Sequence, residues 1–280
     1  MKIVSTQRSQ VLSGRIATAL NIPLIDIRWQ KFPDGEIYLR STEPAEKVIV
    51  CGSIITSDDL LELILLKDVF FSSDITLLVP YMGYARQDKQ FNSGEPLSAR
   101  AVARILGEDI SRVVTVNIHE KSVLDHFRTN TADISLSKQA AAFIHTLSLS
   151  SPLILAPDEG ALHLAGDVAR YGSWEFDHLQ KTRLSGDQVI MKPKSIPVHN
   201  RDVVIVDDII STGGTQATAA TMLREQGAKS VHTVGIHGVL ASGAYARLVS
   251  SGINSVSCSD TIEKACSAFS AAPALKEVLS

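Results

Sequence analysis

Short apolar runs rich in β-branched residues alternate along this chain with longer segments of helical periodicity. Six of these runs are predicted to be strands: residues 47–51, 75–80, 113–117, 153–157, 203–207 and 231–236. Runs that are apolar almost throughout are typical of parallel strands that are buried on both faces. The alternation of such strands with helices therefore predicts an α/β protein with mainly parallel sheets flanked by helices.

Two of the intervening segments carry a clear helical period. Within residues 96–106, Leu97, Ala101 and Ile105 recur every four positions and would share one helix face. Residues 215–226 repeat the pattern, and Gly227 follows them as a C-terminal stop signal.

The length of 280 residues corresponds to about two domains at a prior of roughly 150 residues each. The polar stretch 146–152 is the best boundary, which predicts domains over 1–146 and 147–271. Residues 272–280 are predicted to form a helix that packs back on the first domain. Each half contains a strand ending in proline with a polar tip, then a helix, then a strand with a chemically reactive end, and this repetition indicates an internal duplication.

Composition excludes several classes of protein. Apolar residues make up 45% of the chain and charged residues 20%, so it is not a disordered polymer. The 27 Lys and Arg residues against 30 Asp and Glu give a formal charge of −3, which offers a polyanion no general attraction. With 5% aromatic residues there is also little material for base stacking, and we expect no nucleic-acid partner.

The cysteines and the apolar segments bear on location. Cys51, Cys258 and Cys266 are not spaced as metal ligands and are predicted to be reduced, mostly buried thiols. No apolar stretch approaches the ~20 residues of a membrane span, and residues 1–7 carry no apolar core of a signal peptide, so we expect no secretory signal. We expect a cytoplasmic protein with no membrane partner.

Residues 203–215 read Val-Val-Ile-Val-Asp-Asp-Ile-Ile-Ser-Thr-Gly-Gly-Thr and lead directly into a predicted helix. The strand would deliver two adjacent carboxylates, Asp207 and Asp208, to its tip. The glycines permit tight turns, and hydroxyls, backbone N–H groups and a helix N-terminus together can hold a phosphate. Carboxylates can accept hydrogen bonds from vicinal ribose hydroxyls, so one loop could bind both ends of a sugar phosphate. Neither a GxxxxGK[ST] loop nor a GxGxxG fingerprint is present.

This segment resembles the phosphoribosyl-diphosphate loop of proteins with the type I phosphoribosyltransferase fold. Five further segments narrow the resemblance to ribose-phosphate diphosphokinase, also called phosphoribosyl pyrophosphate synthetase. They are Phe-Pro-Asp-Gly-Glu at 32–36, Pro-Tyr-Met-Gly-Tyr-Ala-Arg-Gln-Asp at 80–88, Asn-Ile-His at 117–119, Ala-Pro-Asp-Glu-Gly at 156–160 and Lys-Thr-Arg at 181–183. Their order and their coverage of nearly the whole chain make the resemblance specific. It implies two tandem phosphoribosyltransferase-like domains, of which the second carries the ribose-phosphate loop.

The resemblance implies transfer of the diphosphoryl group of ATP to the anomeric hydroxyl of ribose 5-phosphate, giving 5-phosphoribosyl 1-diphosphate and AMP. Ribose 5-phosphate would be held by the loop residues Asp207, Asp208, Ser211, Thr212, Gly213, Gly214 and Thr215. ATP would be bound by Phe32, Asp34, Glu36, Arg86, Gln87, Asp88 and His119. Taken alone, the 32–36 segment is only a turn between strands, and a guanidinium such as that of Arg86 can be an ordinary surface charge.

The resemblance also implies Mg²⁺ as the cofactor, with His119 and Asp158 as its ligands. A lone histidine is more often structural than a ligand, and imidazole is an unusual ligand for Mg²⁺. Lys181 and Arg183 would be catalytic cations on a mobile loop over residues 177–187, where they would neutralise the transferring phosphoryl group. Without the resemblance, this stretch is equally well a solvated surface turn.

With its compact length and its departures from the common family pattern, the chain resembles the archaeal or another atypical branch of the family. Ser211 replaces a carboxylate of the loop, Glu120 follows His119, and Ala161 stands where a second glycine is usual. The family resemblance further implies a homodimer or larger homo-oligomer. Two alternatives remain open at this stage: a nucleobase phosphoribosyltransferase, and a non-catalytic, synthetase-like regulatory subunit.

Overall fold

The chain divides into two units in the computed structural model, which describes residues 1–90, 92–183, 189–193 and 197–280, with only the backbone described for 180–183 and 189–193. Unit 1 consists of Met1–Ser135, Thr261–Glu263 and Ala271–Ser280, and unit 2 consists of Leu136–Asp260 and Lys264–Ser270. The chain therefore passes between the units more than once.

Unit 1 is built on a parallel five-stranded sheet. Its strands in chain order, with the hairpin β2–β3 included, are β1 (Lys2–Ser5), β2 (Ile27–Lys31), β3 (Ile37–Ser41), β4 (Lys47–Cys51), β5 (Asp74–Val79), β6 (Arg112–Val116) and β7 (Asn130–Ile134). The sheet order is β1-β4-β5-β6-β7 with all pairs parallel, and β2 pairs with β3 in an antiparallel hairpin. The helices are α1 (Gln10–Leu20), α2 (Ser57–Val69), α3 (Ser98–Leu106) and a 3-10 helix over Lys121–Phe127.

The central strands of unit 1 form because their side chains are apolar on both faces. Val48, Leu77 and Val113 lie on three adjacent strands and are each 1% exposed or less. Helix α2 begins at a capping box in which Thr56 accepts a hydrogen bond from the Asp59 N–H and the Asp59 carboxylate accepts one from the Thr56 N–H. These strands and helices form the hydrophobic core of unit 1.

Unit 2 is built on a second, larger sheet. Its strands are β8 (Leu153–Ala156), β9 (Phe176–Arg183), β10 (Val189–Pro193), β11 (Asp202–Ile210), β12 (Ser230–Gly238), β13 (Ser255–Ser259) and β14 (Ser267–Phe269). The sheet order is β10-β9-β8-β11-β12-β13-β14, and only β10 is antiparallel to its neighbour among the described pairings. The helices are α4 (Ser137–Thr146), α5 (Leu162–Gly172), α6 (Gly214–Glu225) and α7 (Ala244–Ser250), after which α8 (Ala272–Leu279) belongs to unit 1.

The predicted α/β fold with two mainly parallel sheets is confirmed. Strand β4 has its predicted bounds, whereas β12 extends further than predicted at both ends. The division between the units falls after Ser135, and the predicted boundary was after residue 146. The two differ because α4 packs against α5, where His145 contacts the Trp174 ring at 4.5 Å between centroids.

Across the described part of the chain, no helix combines the length and the apolar character needed to cross a bilayer.

Candidate functional site

Strand β11 continues beyond the point where its neighbour β8 ends. It pairs with β8 only from Val203 to Ile205, but it pairs with β12 as far as Ile210. The prediction that the strand ends at Asp207 is therefore wrong, because Ile209 and Ile210 extend the ladder against β12. Asp207 and Asp208 lie on this extension, within the strand rather than at its tip.

The Asp207 carboxylate is fixed by two hydrogen bonds and is close enough to other carboxylates to be affected by their charge. Its Oδ1 accepts a hydrogen bond from the Asp208 N–H at 3.0 Å, and its Oδ2 accepts one from Gln216 Nε2 at 2.5 Å. Burial raises the pKa of Asp207 well above its ordinary range, and the charges of Asp208 and Asp158 raise it further. The site therefore favours a ligand that brings positive charge or hydroxyl donors to this carboxylate.

The loop after β11 turns directly into helix α6. Gly213 is its pivot, with φ of 71°, and its carbonyl accepts the first helical hydrogen bond from the Ala217 N–H at 2.9 Å. Thr212 and Thr215 are exposed on either side of the glycines. Backbone N–H groups at a helix N-terminus, together with the helix dipole, form a site for a phosphate.

A second segment, residues 240–247, holds this loop in place. The Leu240 N–H donates to the Ile210 carbonyl and the Ala241 N–H to the Ser211 carbonyl, each at 3.0 Å. The Arg247 guanidinium donates to the Thr212 carbonyl and, at 3.1 Å, to the Ser242 carbonyl. The loop is thus fixed by backbone contacts before any ligand arrives.

Asp158 follows the end of β8, the strand adjacent to β11. Its Oδ1 accepts hydrogen bonds from the Gly160 N–H at 3.0 Å and the Ala161 N–H at 3.3 Å, and the residue is exposed. Strand β8 pairs directly with β11, and the charge of Asp158 contributes to the raised pKa of Asp207. Unit 2 therefore brings together Asp158, Asp207, Asp208 and the loop.

Lys181 and Arg183 lie on strand β9, not on the predicted loop. Strand β9 pairs with β8 from Phe176 to His178 and then continues to Arg183 in an antiparallel pair with β10. The side chains of Lys181 and Arg183 lie outside the described part of the structure, as do residues 184–188. Their catalytic role stays a prediction.

In unit 1, the predicted adenine-binding segment forms the turn of the β2–β3 hairpin. The Phe32 N–H donates to the Glu36 carbonyl and the Gly35 N–H to the Phe32 carbonyl, both at 2.9 Å. Asp34 Oδ1 accepts from the Glu36 N–H at 3.3 Å, and both carboxylates are exposed. The Phe32 ring is 51% exposed and meets Tyr38 edge-on, which leaves ring surface available for stacking.

The segment after β5 contains Arg86, Gln87 and Asp88. Gln87 stabilises the start of helix α3, since its Oε1 accepts from the Ser98 hydroxyl and its carbonyl accepts from the Ala99 N–H at 3.2 Å. Arg86 is exposed and Asp88 is partly buried. The structure thus gives Gln87 a structural role that sequence reasoning missed.

His119 is exposed just beyond β6, the strand adjacent to β5. The Asp133 carboxylate fixes the segment before it by accepting from the Ile118 N–H at 3.0 Å and from the Thr115 hydroxyl at 2.7 Å. Burial raises the pKa of Asp133, and these hydrogen bonds oppose the rise. Glu120 caps the 3-10 helix by accepting from the Ser122 N–H at 3.2 Å, which gives this departure from the family pattern a structural reason.

The donor set at Asp207 fits a hard cation. Burial and two neighbouring carboxylates disfavour its ionised form, and a divalent ion would relieve both effects. Among the described residues, no group of three or more His, Cys, Asp or Glu side chains could hold a metal ion. In proteins, Mg²⁺ is usually held by one or two carboxylates together with substrate phosphates. His119 and Asp158 belong to different units, and their joint role as ligands stays a prediction.

Sequence reasoning missed three supporting residues: Gln216 and Arg247, which hold Asp207 and the loop in unit 2, and Asp133, which fixes the segment before His119 in unit 1. Gln216 lies on the buried face of α6, where a polar side chain needs a partner, and this was an available signal. Arg247 and Asp133 carry no such signal, because their partners are distant in the sequence.

The comparisons with known proteins agree with this geometry. Residues 125–272 match the model of the phosphoribosyl transferase domain, so the fold and the loop define a phosphoribosyltransferase-type protein. Residues 1–108 match the N-terminal domain of ribose phosphate pyrophosphokinase. The chain belongs to the ribose-phosphate pyrophosphokinase family.

Full-length relatives support that assignment, and they confirm the predicted likeness to the archaeal branch. The chain is 45% identical to ribose-phosphate pyrophosphokinase of Methanosarcina mazei, over 100% of this chain and 95% of the relative. It is 39% identical to ribose-phosphate pyrophosphokinase 2 of Archaeoglobus fulgidus, over 99% of both chains. The crystal structure of phosphoribosylpyrophosphate synthetase from Mycobacterium smegmatis superposes with a TM-score of 0.84 at 27% identity, over 99% of this chain and 97% of that one.

Proposed function

We propose that this chain transfers the diphosphoryl group of ATP to the anomeric hydroxyl of ribose 5-phosphate. The observation that carries the proposal is the continuous segment formed by β11, the loop and α6. In this segment two carboxylates are followed by a turn at glycine, and the turn leads into the N-terminus of a helix. That arrangement supports a sugar phosphate bound at both ends. Family membership supports ATP as the other substrate.

Ribose 5-phosphate would bind with its phosphate at the loop. The N–H groups of residues 211–215 and the N-terminus of α6 favour a dianion there. Asp207 and Asp208 would accept hydrogen bonds from the ribose hydroxyls. Because Arg247 and the 240–241 backbone already fix the loop, little ordering would be needed on binding.

ATP would bind through unit 1. The exposed ring of Phe32 supports stacking on adenine, and Asp34 and Glu36 offer acceptors to its amino group or to the ribose. Arg86 offers a guanidinium to the phosphates, with Gln87, Asp88 and His119 nearby on loops that follow adjacent parallel strands. Gln87 would contribute indirectly, because its side chain and its carbonyl fix the start of α3.

Mg²⁺ is the cofactor that this chemistry requires. We infer that Asp158 and His119 hold it with phosphate oxygens, and that Asp207 and Asp208 can hold a second ion. When bound, Mg²⁺ supplies neutralisation of the phosphate charge.

The reaction joins the anomeric oxygen to the β-phosphorus and breaks the bond from that phosphorus to the oxygen bridging it to the α-phosphate. The bridging electron pair leaves with AMP, and the hydroxyl proton is released. Such transfers depend mainly on positioning and on charge neutralisation. Lys181 and Arg183 would stabilise the charge that builds up on the transferring group.

An assay of AMP release tests the proposed reaction. The protein is incubated with ATP and Mg²⁺, with and without ribose 5-phosphate, and AMP is quantified by chromatography. We expect AMP only when ribose 5-phosphate and Mg²⁺ are both present. Absence of AMP under those conditions, or release that ignores ribose 5-phosphate, would contradict the proposal.

Replacement of Lys181 tests the proposed catalytic cation. We expect Lys181→Ala to lower kcat by about 10²–10³ with little change in the KM for ATP, because the lost contact acts in the transition state. Lys138→Ala, which removes an exposed lysine of α4, is the matched control and should behave like the parent protein. An unchanged kcat in Lys181→Ala would refute the assignment.

We also propose that the chain forms a homodimer or a larger homo-oligomer, as its family membership supports. Sedimentation equilibrium at micromolar concentration should give a mass at least twice that of the 280-residue chain.

A further inference from the structure

Two cysteines that are separated in the sequence meet at the edge of the unit 2 sheet. Cys258 lies in β13, and Cys266 immediately precedes β14. The Cys258 N–H donates to the Cys266 carbonyl at 2.9 Å, and the two thiols are hydrogen-bonded to each other. Neighbouring parallel strands therefore place the two cysteines side by side.

The two thiols differ in their access to solvent. Cys258 is 0% exposed, and its Sγ packs so closely on Gly238 that an added Cβ there would lie 2.8 Å away. Cys266 is only partly buried and lines a groove of about 520 Å³ together with Tyr245 and Lys264. A small molecule can thus approach Cys266, whereas Cys258 is closed to solvent.

The electrostatics of the pair suit this asymmetry. The hydrogen bond from Cys258 lowers the pKa of Cys266 to about 7, with a further contribution from the Lys264 ammonium, while burial opposes the shift. The same hydrogen bond, together with burial, raises the pKa of Cys258. Since the thiolate is the nucleophile in thiol chemistry, Cys266 is the thiol ready to react at neutral pH.

We propose that Cys266 is a site of thiol–disulfide exchange with low-molecular-weight disulfides, and that Cys258 is its resolving thiol. The Cys266 thiolate attacks one sulfur of the small disulfide, and the S–S bond breaks as the first small thiolate leaves and takes a proton from water. Cys258 then loses its proton to solvent and attacks Cys266 Sγ, which forms the Cys258–Cys266 disulfide and releases the second small thiol. The protein pair loses two electrons and two protons, and the small disulfide gains them.

The proposal does not depend on the proposed diphosphoryl transfer, because it concerns residues that no step of that reaction uses. It also gives the three cysteines different fates. Cys51, which is fully buried in unit 1, provides an internal reference thiol within the same molecule.

The test exposes the reduced protein to oxidised glutathione at neutral pH, followed by an acid quench, intact mass measurement and peptide mapping. For the parent protein we expect a mass decrease of two hydrogens and a linked peptide pair containing Cys258 and Cys266, both reversed by dithiothreitol. Cys258→Ser should instead accumulate one glutathione on Cys266, because nothing resolves the mixed disulfide. Cys51→Ser is the matched control and should give the parent product at the parent rate.

Cys266→Ser should react at least about tenfold more slowly than the parent, since it lacks the thiol of lowered pKa. The absence of a linked peptide from the parent protein overturns the proposal, and that measurement needs no variant to fold. Rapid glutathionylation of Cys258 in Cys266→Ser also overturns it. So does a Cys258→Ser protein that retains native circular dichroism and gains no glutathione at Cys266.

Discussion

Folding disfavours the ionised form of Asp207, whereas ligand binding would use that ionised form as an acceptor. Burial and the charges of Asp208 and Asp158 raise its pKa in the folded protein above that in the unfolded chain. Between these two pKa values the folded state binds more protons than the unfolded state. The free energy of unfolding therefore falls as the pH rises through that interval.

Asp207→Asn should accordingly be more stable than the parent protein at pH 8, and its advantage should shrink as the pH is lowered. The amide oxygen introduced at this position can keep the hydrogen bond from the Asp208 N–H, and the introduced NH2 group can donate to Gln216 Oε1 once the Gln216 amide turns over. Ribose 5-phosphate loses a charged acceptor, so kcat/KM should fall by about 10- to 100-fold. Urea denaturation at several pH values, combined with the AMP-release assay, measures both effects.

Asp202→Asn, at the other end of β11, is the matched control of opposite sign. Burial raises the pKa of Asp202, but hydrogen bonds from Ser230, Lys229 and the Ser150 N–H outweigh it and lower the pKa overall. Its stabilising contribution is present above the unfolded pKa and is lost as the pH falls. This variant should be less stable than the parent at pH 8, and equal signs for the two variants would contradict the assignment.

Arg247 supports the loop at residues 211–215 through its side chain. Its guanidinium joins the carbonyls of Thr212 and Ser242. Arg247→Ala should raise the KM for ribose 5-phosphate by about 5- to 10-fold, because about 1 kcal/mol of loop order is lost, with a smaller effect on the KM for ATP. Steady-state kinetics with each substrate varied in turn checks this expectation.

Arg224→Ala is a suitable control for that measurement. Arg224 also donates to two backbone carbonyls, those of Ala228 and Lys229, but it does so at the far end of α6. A similar rise in the KM for ribose 5-phosphate in both variants would mean that the effect on Arg247→Ala is one of general stability.

At the scale of the element, the two glycines at the start of α6 are not equivalent. Gly213 has φ of 71°, and a Cβ there would lie 3.0 Å from Leu248 Cγ, within the tightest range of real contacts. A Cβ on Gly214 would meet only the Thr212 hydroxyl, at 3.8 Å. Only the first position requires glycine.

Gly213→Ala should therefore cost about 1–2 kcal/mol of stability and weaken ribose 5-phosphate binding, because the loop must move away from left-handed geometry. Gly214→Ala should retain parent-like stability and serves as the matched control. Thermal denaturation followed by isothermal titration with ribose 5-phosphate distinguishes the two, and equal losses in both variants would contradict this account.

The same element shows what the sequence could predict and what it could not. Strands such as β4 and β8 were predictable because nearly every side chain in them is buried. Asp207 and Asp208 hid the continuation of β11, since adjacent carboxylates are usual at strand ends, and the pairing with β12 that overrides this preference is tertiary. The polar residues of β9 likewise indicated a loop, although pairing with β10 makes them a strand.

The candidate site was also predictable from the sequence only in part. The loop and its carboxylates were predictable from an ordered series of residue types, and the hairpin turn at 32–36 from its glycine and proline. The contacts of Arg247, Asp133 and Gln87 were not, because each depends on a partner brought near by the fold.

At the scale of the whole molecule, α8 is a part of unit 1 that is remote in the sequence. Leu275 is 0% exposed in this helix, and the Arg112 guanidinium donates to the Val278 carbonyl at 3.0 Å. Leu275→Ala should lower the free energy of unfolding by about 2–5 kcal/mol, because it leaves a cavity in the core. Urea denaturation measures the loss.

Leu61→Ala is the control, since Leu61 is 42% exposed on α2 of the same unit and its loss should cost no more than about 0.5 kcal/mol. A Leu275→Ala protein as stable as Leu61→Ala would mean that α8 contributes little to unit 1.

The repeated passage of the chain between units also orders events during synthesis. Two contacts of unit 1 depend on residues that are translated late: Glu263 accepts a hydrogen bond from the Leu12 N–H, and the Thr261 carbonyl accepts one from the Ser53 hydroxyl. Both residues follow the described strands of unit 1 and most of unit 2 in the sequence. Helix α8 follows later still. On the ribosome, the unit whose strands emerge first is therefore the one that completes its folding last, and it remains open to chaperones and proteases while unit 2 is being made.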